Sequence, residues 1–292
     1  MLYTSKAYRT FTWFNYLFLL LLSVLCLLPL VHIFAVSLSS NAAASANLVT
    51  FWPVGFTFDA YVETMSNPSF FNSIFVSIQR TAFGTAISMF LTVMSAYALS
   101  KEEVKFKGRT LYAWFFVFTI LFNGGLIPTF LVVQKAGLVD TLWALMLPHA
   151  VNVWNMILML NFFRSLPKEL EESAFIDGAN HFVTLFRIYL PISMPSIATL
   201  SLFAMVFHWN SWLDGLIYLN KASDYPLATF LQSIVVQENF AETGLDQDDV
   251  ANISERTIKS AQIFIGALPI LMVYPFLQKY FVKGIVLGSV KE

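Results

Sequence analysis

Residues 13–36 read WFNYLFLLLLSVLCLLPLVHIFAV, a run of 24 residues that contains no charged side chain. A helix rises about 1.5 Å per residue, so about 20 apolar residues cross the hydrocarbon core of a bilayer. Five further stretches are long and apolar enough to do the same, at about 71–99, 111–133, 142–163, 192–219 and 262–282. Because lipid offers the backbone no hydrogen-bond partner, each is predicted to be helical. The sequence therefore predicts an all-α membrane protein with six transmembrane helices.

The composition of the 292-residue chain supports this prediction. Hydrophobic residues make up 57% and charged residues 12% of the chain, against about 45–50% and about 25% in globular proteins. This excludes disordered chains, and the net charge of −1 gives no field that attracts nucleic acid. The single cysteine, Cys26, excludes an intrachain disulfide and is expected to be a buried free thiol.

The start of the chain permits two interpretations. Lys6 and Arg9 precede the first apolar run, and residues 42–46 (AAASA) resemble a signal-peptidase site. A cleaved signal has an apolar region of about 7–15 residues, which is shorter than the run observed here. We expect a retained transmembrane helix.

Lysine and arginine are distributed unevenly between the connections. With the N-terminus in the cytoplasm, the internal connections are 1–12, 100–110, 164–191 and 283–292. They carry eleven Lys and Arg residues, whereas the external loops carry four, which are Lys135, Lys221, Arg256 and Lys259. Cytoplasmic loops are enriched in these residues, so both termini are predicted to be cytoplasmic.

The external loop at 220–261 is long enough to have a role of its own. Five apolar residues recur at helical spacing and predict a short amphipathic helix there: Leu227, Phe230, Leu231, Ile234 and Val235. An acidic stretch at 238–249 follows. A solvated loop without a partner is the alternative.

The internal connection 164–191 reads RSLPKELEESAFIDGANHFVTLFRIYLP. Pro167 ends the preceding helix, and residues 168–175 can form a short amphipathic helix at the membrane face. Gly178 supplies a turn that a residue with a Cβ would resist, and a second helix runs from Asn180 to Leu190. The segment therefore predicts a helix-turn-helix element on the cytoplasmic face.

This segment resembles the EAA loop of ABC-importer permeases. The matching positions are Glu172, Ser173, Ala174, Gly178, Ile188, Leu190 and Pro191. Ser173 departs from the alanine of the family pattern, a small residue for a small one. The resemblance implies a coupling helix that docks in a cleft of an ATPase subunit, with Glu172, Ser173, Ala174, Asp177 and Gly178 as the coupling residues.

The resemblance covers the whole chain as a single transmembrane permease domain, 1–292. Six spans and the tail PFLQKYFVKGIVLGSVKE are similar to carbohydrate-uptake permeases related to the maltose-transporter inner-membrane subunits. Within them the chain is most similar to subunits for complex or uronate-containing oligosaccharides, such as those of alginate or pectin. The tail at 283–292 is then expected to contact the ATPases through Gly284, Gly288 and Lys291.

The sequence contains no phosphate-binding loop of the form G-x-x-x-x-G-K-[ST] and no catalytic constellation. We therefore expect a non-catalytic subunit without a metal or cofactor, with ATP and Mg bound by partner chains. The resemblance implies a bacterial inner-membrane protein that works with a second permease, two ATPase subunits and an extracytoplasmic sugar-binding protein. Its expected function is one half of an oligosaccharide translocation pathway.

Polar residues inside the spans are candidates for the substrate path. His149, Asn152 and Asn155 have i, i+3, i+6 spacing, which predicts a single helix face. The fifth span adds His208, Trp209, Asn210 and Trp212, and indole rings beside amides suit sugars. Interhelical hydrogen bonds and interfacial anchoring are the alternatives. Arg80 could attract a carboxylated sugar, although pairing with a partner subunit is favoured.

A self-contained secondary transporter or channel is the rival function, as is an ABC permease for another solute. A secondary transporter should carry ionisable residues at the midplane for its coupling ions, and a channel should carry a filter loop. Only Arg80 approaches this requirement. A membrane-embedded enzyme lacks its catalytic residues.

Overall fold

The computed structural model describes residues 6–102, 106–241 and 249–289, and within these ranges the chain is helical and contains no strand. This confirms the all-α class. The α-helices in chain order are α1 Lys6–Ser37, α2 Asn41–Ser45, α3 Asp59–Ser66, α4 Pro68–Ser100, α5 Arg109–Leu121, α6 Leu126–Lys135, α7 Val153–Ser165, α8 Glu169–Ile176, α9 His181–Thr184, α10 Leu190–Ile192, α11 Met194–Asn210, α12 Leu213–Tyr218, α13 Leu227–Ala241 and α14 Asp249–Ser289. Short 3-10 turns lie at Leu142–Leu145, Leu147–His149 and Ala222–Asp224, and Leu185–Tyr189 is π-helical.

Three helices are each long and apolar enough to cross a membrane: α1, α4 and the Arg256–Phe276 part of α14. Three bent pairs also qualify when each pair is taken together. They are α5 with α6 (120°), Leu142–His149 with α7 (48°), and His181–Ile192 with α11 (83°). The described chain therefore offers three spans, or up to six if each bent pair is one span.

The predicted span at 111–133 is not one continuous helix. The Asn123 side chain accepts a hydrogen bond from the Gly125 N–H at 2.9 Å, and Gly125 has a φ of +83°. Only glycine adopts this backbone conformation without strain, so the chain turns sharply between α5 and α6. The apolar composition of the run did not reveal this break.

The chain forms two compact units, residues 1–71 with 234–268 and residues 72–233 with 269–292. In the first unit, Ala35, Val36, Ala43, Ala44 and Val49 form a small core. Arg256 donates hydrogen bonds to the Ala44 carbonyl at 2.9 Å and to Asn47 Oδ1 at 2.6 Å. These bonds fasten α14 to the turn that follows α2.

None of the most apolar 18-residue window of α1 is buried inside the described chain. Cys26 is accordingly exposed on α1, so the prediction of a buried thiol is wrong. Packing of α1 within the described residues lies at its C-terminal end, where the ring centroid of Phe34 is 4.6 Å from that of Phe264. The apolar window before it has no buried residue. Its apolar side chains are therefore available to lipid or to another subunit.

The core of the second unit joins α4, α7, the segment before α11 and α11 itself. Its buried residues are Met89, Val93, Ala96, Tyr97, Leu99, Met156, Met159, Leu160, Phe163, Leu185, Tyr189 and Leu200. The same unit contains the start of α13 at Leu227, where the sequence predicts an amphipathic helix. Residues 242–248 of the predicted external loop lie outside the described residues.

Candidate functional site

The short helix α8 occupies the position predicted from the connection 164–191. Three acidic side chains, Glu169, Glu171 and Glu172, lie in its first turn, where they complement the partial positive charge of a helix N-terminus. The backbone N–H groups of Glu171 and Glu172 both donate to the Lys168 carbonyl at 3.0 Å. The helix therefore begins at Glu169, with Lys168 as its N-cap and Pro167 before it.

The two faces of α8 have different environments. Glu171 and Ala174, three residues apart, are buried with 7% and 6% of their surface exposed. Glu172, Ser173, Ile176 and Asp177 are exposed. Residues at i and i+3 share a helix face, so α8 has one face against the protein and one free face.

The end of α8 explains the requirement for Gly178. The Gly178 N–H donates to the Phe175 carbonyl at 3.1 Å, and the Ala179 N–H donates to the Ala174 carbonyl at 2.9 Å. This is a Schellman termination, in which the residue after the helix adopts a left-handed conformation. Gly178 has a φ of +81°, and a Cβ added there would meet no atom within 4 Å. The backbone conformation, rather than lack of space in this chain, favours glycine.

The second half of the element begins at Asn180, whose side chain accepts from the Val183 N–H at 2.9 Å. This is an N-cap, and α9 follows it directly. The chain continues through the π-helical residues 185–189 and α10 before it bends into α11. The predicted helix-turn-helix is confirmed, with its second helix more irregular than the sequence indicates.

A buried ion pair underlies α8. Lys101 Nζ donates to Glu171 Oε2 at 2.8 Å, and the Tyr189 hydroxyl donates to the same oxygen at 2.9 Å. The ammonium of Lys101 lies 3.8 Å from the ring centroid of Tyr97 and 4.3 Å from that of Tyr189. Cations are attracted to aromatic faces at such distances. We call Tyr97, Lys101, Glu171 and Tyr189 the aromatic cage.

Sequence reasoning missed this cage. The charge distribution assigns Lys101 only to a cytoplasmic connection, and the family pattern points to Glu172 rather than to its neighbour Glu171. A signal was present, because Glu171 shares a face with Ala174 and a charge on an inward face requires a partner. The partner could not be identified, since Lys101 lies 70 residues away in sequence.

The C-terminal end of α4 is held by further contacts around the cage. Arg164 of α7 donates to the Leu99 carbonyl at 3.3 Å, and Arg109 of α5 donates to the Lys101 carbonyl at 3.1 Å. The last carbonyls of a helix lack partners within it, and guanidinium groups satisfy them and complement the partial negative charge. α4 is thereby tied at this end to α5 and α7 as well as to α8.

The predicted row of path residues on the fourth span is wrong as a helix face. His149 ends a 3-10 turn, and Asn152 is the N-cap of α7, accepting from the Asn155 N–H at 3.0 Å. Since α7 begins only at Val153, helical spacing does not apply to these three residues. Asn155 is buried, whereas His149 and Asn152 are exposed.

The candidates of the fifth span divide in the same way. His208 and Trp209 are buried at the end of α11, whereas Asn210 is exposed and donates to the Val206 carbonyl at 2.9 Å. Trp212 is 38% exposed. The candidates of the fourth and fifth spans approach each other at Phe207 of α11, whose ring centroid lies 5.0 Å from that of His149.

Arg80 has a partner in its own chain. It is fully buried, forms an ion pair with Asp214, and donates to the Ser211 carbonyl at 2.8 Å. Asp214 also accepts from Ser211 Oγ and from the Gly215 N–H. Both predicted roles for Arg80, attraction of a sugar and pairing with a partner subunit, are corrected, because this internal carboxylate neutralises its charge.

The predicted tail residues and a possible metal site remain to be located. Gly284 and Gly288 of the tail lie within α14, and Lys291 lies outside the described residues. Among the residues that the structure describes, no three His, Cys, Asp or Glu side chains are grouped as a metal site would require.

Comparison with known proteins shows the family of the chain, although no protein-family model matches it. Protein LplC of Bacillus subtilis (strain 168) is 44% identical over 290 residues, which cover 99% of this chain and 98% of that protein. The polygalacturonan/rhamnogalacturonan transport system permease protein YtcP of the same organism is 42% identical over 286 residues, covering 97% and 99%. The chain belongs to the carbohydrate-uptake permease subunits of ABC transporters. This confirms the family predicted from residues 164–191.

A solved structure gives the same result for this permease. The crystal structure of a bacterial ABC transporter involved in the import of the acidic polysaccharide alginate contains a chain that matches with a TM-score of 0.84 and 31% identity. The match covers 96% of this permease and 100% of that chain. The permease is a multi-pass inner-membrane protein and a non-catalytic subunit, because ATP hydrolysis in such transporters belongs to separate subunits.

Proposed function

We propose that this permease forms half of the translocation pathway of an importer for acidic oligosaccharides and couples it to ATP hydrolysis through the free face of α8. The observation that carries the proposal is the geometry of α8. One face is buried in the permease, and the other presents Glu172, Ser173 and Asp177 at a helix end terminated by Gly178. A helix anchored on one side and exposed on the other suits a partner surface.

The coupling residues of the proposal are Glu172, Ser173, Ala174, Asp177 and Gly178. Glu172 offers an exposed carboxylate to a basic residue of an ATPase subunit, and such a pair chiefly sets register and specificity. Ala174 is buried, so its part is to let α8 lie close to the protein. Gly178 shapes the turn and leaves its outer side without a side chain.

The orientation follows from the charge bias of the connections. With both termini cytoplasmic, α8 faces the cytoplasm, the loop at 220–261 is external, and the tail at 283–292 reaches the ATPase subunits through Gly284, Gly288 and Lys291. Residues 1–292 then form a single transmembrane permease domain. The proposed partners are a second permease, two ATPase subunits that bind ATP and Mg, and an extracytoplasmic sugar-binding protein.

The proposed substrate class rests on two relatives. One is named for polygalacturonan and rhamnogalacturonan, and the structural match belongs to an importer of the acidic polysaccharide alginate. Polygalacturonan, rhamnogalacturonan and alginate all contain uronate units, so pectin-derived or alginate-derived oligosaccharides are the class we assign. A path shared with a second permease would be lined by side chains that are exposed in this chain. Four path candidates meet this condition: His149, Asn152, Asn210 and Trp212. The other three are buried: Asn155, His208 and Trp209.

The proposal is tested by reconstituting the complete transporter in nanodiscs with its binding protein. ATPase stimulation is measured with trigalacturonate, a rhamnogalacturonan oligosaccharide, an alginate trisaccharide and, as the neutral control, maltotriose. We expect at least one acidic saccharide to stimulate hydrolysis more than maltotriose does. Stimulation by maltotriose alone would contradict the substrate class, and the absence of binding of this permease to the ATPase subunits would contradict the coupling role.

A further inference from the structure

The aromatic cage links two elements that have different roles in the proposed function. Glu171 belongs to α8, which the proposed function brings against an ATPase subunit, and Lys101 directly follows α4. We propose that Lys101 and Glu171 are positioning residues that make α8 and α4 move as one body, so that displacement of the coupling helix is passed to a transmembrane helix. The inference rests on the proposed coupling role of α8.

The ion pair of the cage is buried. Only 7% of the Lys101 side chain and 9% of the Glu171 side chain are exposed. Separating these groups would leave two charges in surroundings of low polarity, which is far more costly than separating a solvated pair. A connection of this kind resists being pulled apart when α8 is displaced.

Several independent contacts hold the Lys101 ammonium and the Glu171 carboxylate. The Lys101 ammonium contacts one carboxylate oxygen and two tyrosine rings, and the Tyr189 hydroxyl donates to the same oxygen. The rings are fixed in turn, since Tyr97 and Tyr189 both pack edge-on against Phe163. The geometry of the pair is therefore held from α4, α7 and the π-helical segment.

The helix that would be moved, α4, is long. α4 is continuous from Pro68 to Ser100. Arg80, paired with Asp214, lies about 30 Å from Lys101 along this helix at about 1.5 Å per residue. A displacement applied at the cage would thus reach a second buried ion pair deep in the same unit.

The permease supplies a matched control. Lys168 and Glu102 form a second ion pair between the same two segments, but their side chains are 76% and 58% exposed. Water competes for an exposed pair and salt screens it, so it holds the elements together weakly. Comparison of the two pairs separates a buried connection from charge in general.

The test uses the reconstituted transporter with the double variant Lys101→Met, Glu171→Leu. Replacing both charges by apolar groups leaves no unpaired charge, so folding and assembly are expected to persist. We expect binding-protein-stimulated ATPase activity, relative to activity without the binding protein, to fall about tenfold. The control double variant Lys168→Met, Glu102→Gln should retain the stimulation.

A distance measurement reports the connection without any saccharide. Spin labels are placed at Glu169→Cys on α8 and Phe90→Cys on α4, both exposed positions, in a Cys26→Ser background. ATP with orthovanadate is the probe that traps the ATPase subunits. With the cage intact, the distribution of interspin distances should stay narrow and unchanged on trapping. In the Lys101→Met, Glu171→Leu variant the distribution should broaden or shift.

Two results would overturn the inference. One is the same distance distribution after trapping in the protein with the intact cage and in the Lys101→Met, Glu171→Leu variant. The other is ATPase stimulation in that variant equal to that of the unmodified complex. If that variant does not assemble, Glu171→Gln keeps acceptor and size while it removes the charge, and unchanged stimulation in it would overturn the inference equally. Failure of the proposed function is distinguishable, because Glu172→Lys would then leave stimulation intact whatever the cage variants do.

Discussion

Glu171 and Glu172 are adjacent in sequence but lie on different faces of α8, the first buried against Lys101 and the second exposed. Successive residues of a helix are rotated by about 100°, so neighbouring carboxylates can meet separate partners. In this permease the inner carboxylate binds the protein itself, and the outer one is free for another subunit. This division and the two buried ion pairs of the second unit have consequences that can be measured.

Substitutions at Gly178 should rank by backbone conformation. Asparagine tolerates the left-handed region better than a β-branched residue, for which the conformation is strained by about 1–2 kcal/mol. We expect Gly178→Asn to retain most ATP-driven uptake and Gly178→Val to lose it. Limited proteolysis of the segment 164–191 should show faster cleavage in the valine variant. Equal loss in both variants would indicate that any side chain is rejected by the partner surface.

Removal of Arg80 should destabilise the permease more than removal of both Arg80 and Asp214. Arg80→Met leaves a buried carboxylate without its cation, a loss of about 3–5 kcal/mol, whereas Arg80→Met with Asp214→Leu removes both charges. Thermal unfolding in detergent measures the difference. The single variant should have the lower Tm. An unchanged Tm in the single variant would contradict the internal pairing of Arg80.

The path candidates should separate by their burial. Asn210→Ala and Trp212→Ala, at exposed positions, are expected to lower the uptake rate while Tm stays close to that of the unmodified protein. Trp209→Ala removes a buried aromatic ring and should lower the stability by about 3–5 kcal/mol. Normal uptake in both exposed variants would assign Asn210 and Trp212 to the lipid interface rather than the path.

Local chemistry accounts for what the sequence predicts well. The run at 13–36, the proline at 167 and the glycine at 178 each act within a few residues, so helices, their ends and the turn of the coupling element are predictable. The break between α5 and α6 is also local, but its signal, Asn123 followed by two glycines, is hidden inside an apolar run.

Long-range pairing accounts for what the sequence does not predict. Arg80 meets Asp214 across 134 residues, and Lys101 meets Glu171 across 70. Charge patterns indicate that each buried ion needs a partner but do not identify it. For the same reason the helical spacing of His149, Asn152 and Asn155 suggests a shared face, whereas the start of α7 at Val153 removes it.

The most direct measurement of the central claim is ATPase stimulation in the reconstituted transporter carrying Glu172→Lys. Its matched control is Glu169→Lys, which reverses another exposed charge in the first turn of α8. The binding protein is loaded with the saccharide that best stimulates the unmodified complex. We predict that Glu172→Lys assembles normally and loses stimulation about tenfold or more, while Glu169→Lys retains it. If the loaded binding protein stimulates the Glu172→Lys transporter as strongly as the unmodified one, this result would contradict coupling through the free face of α8.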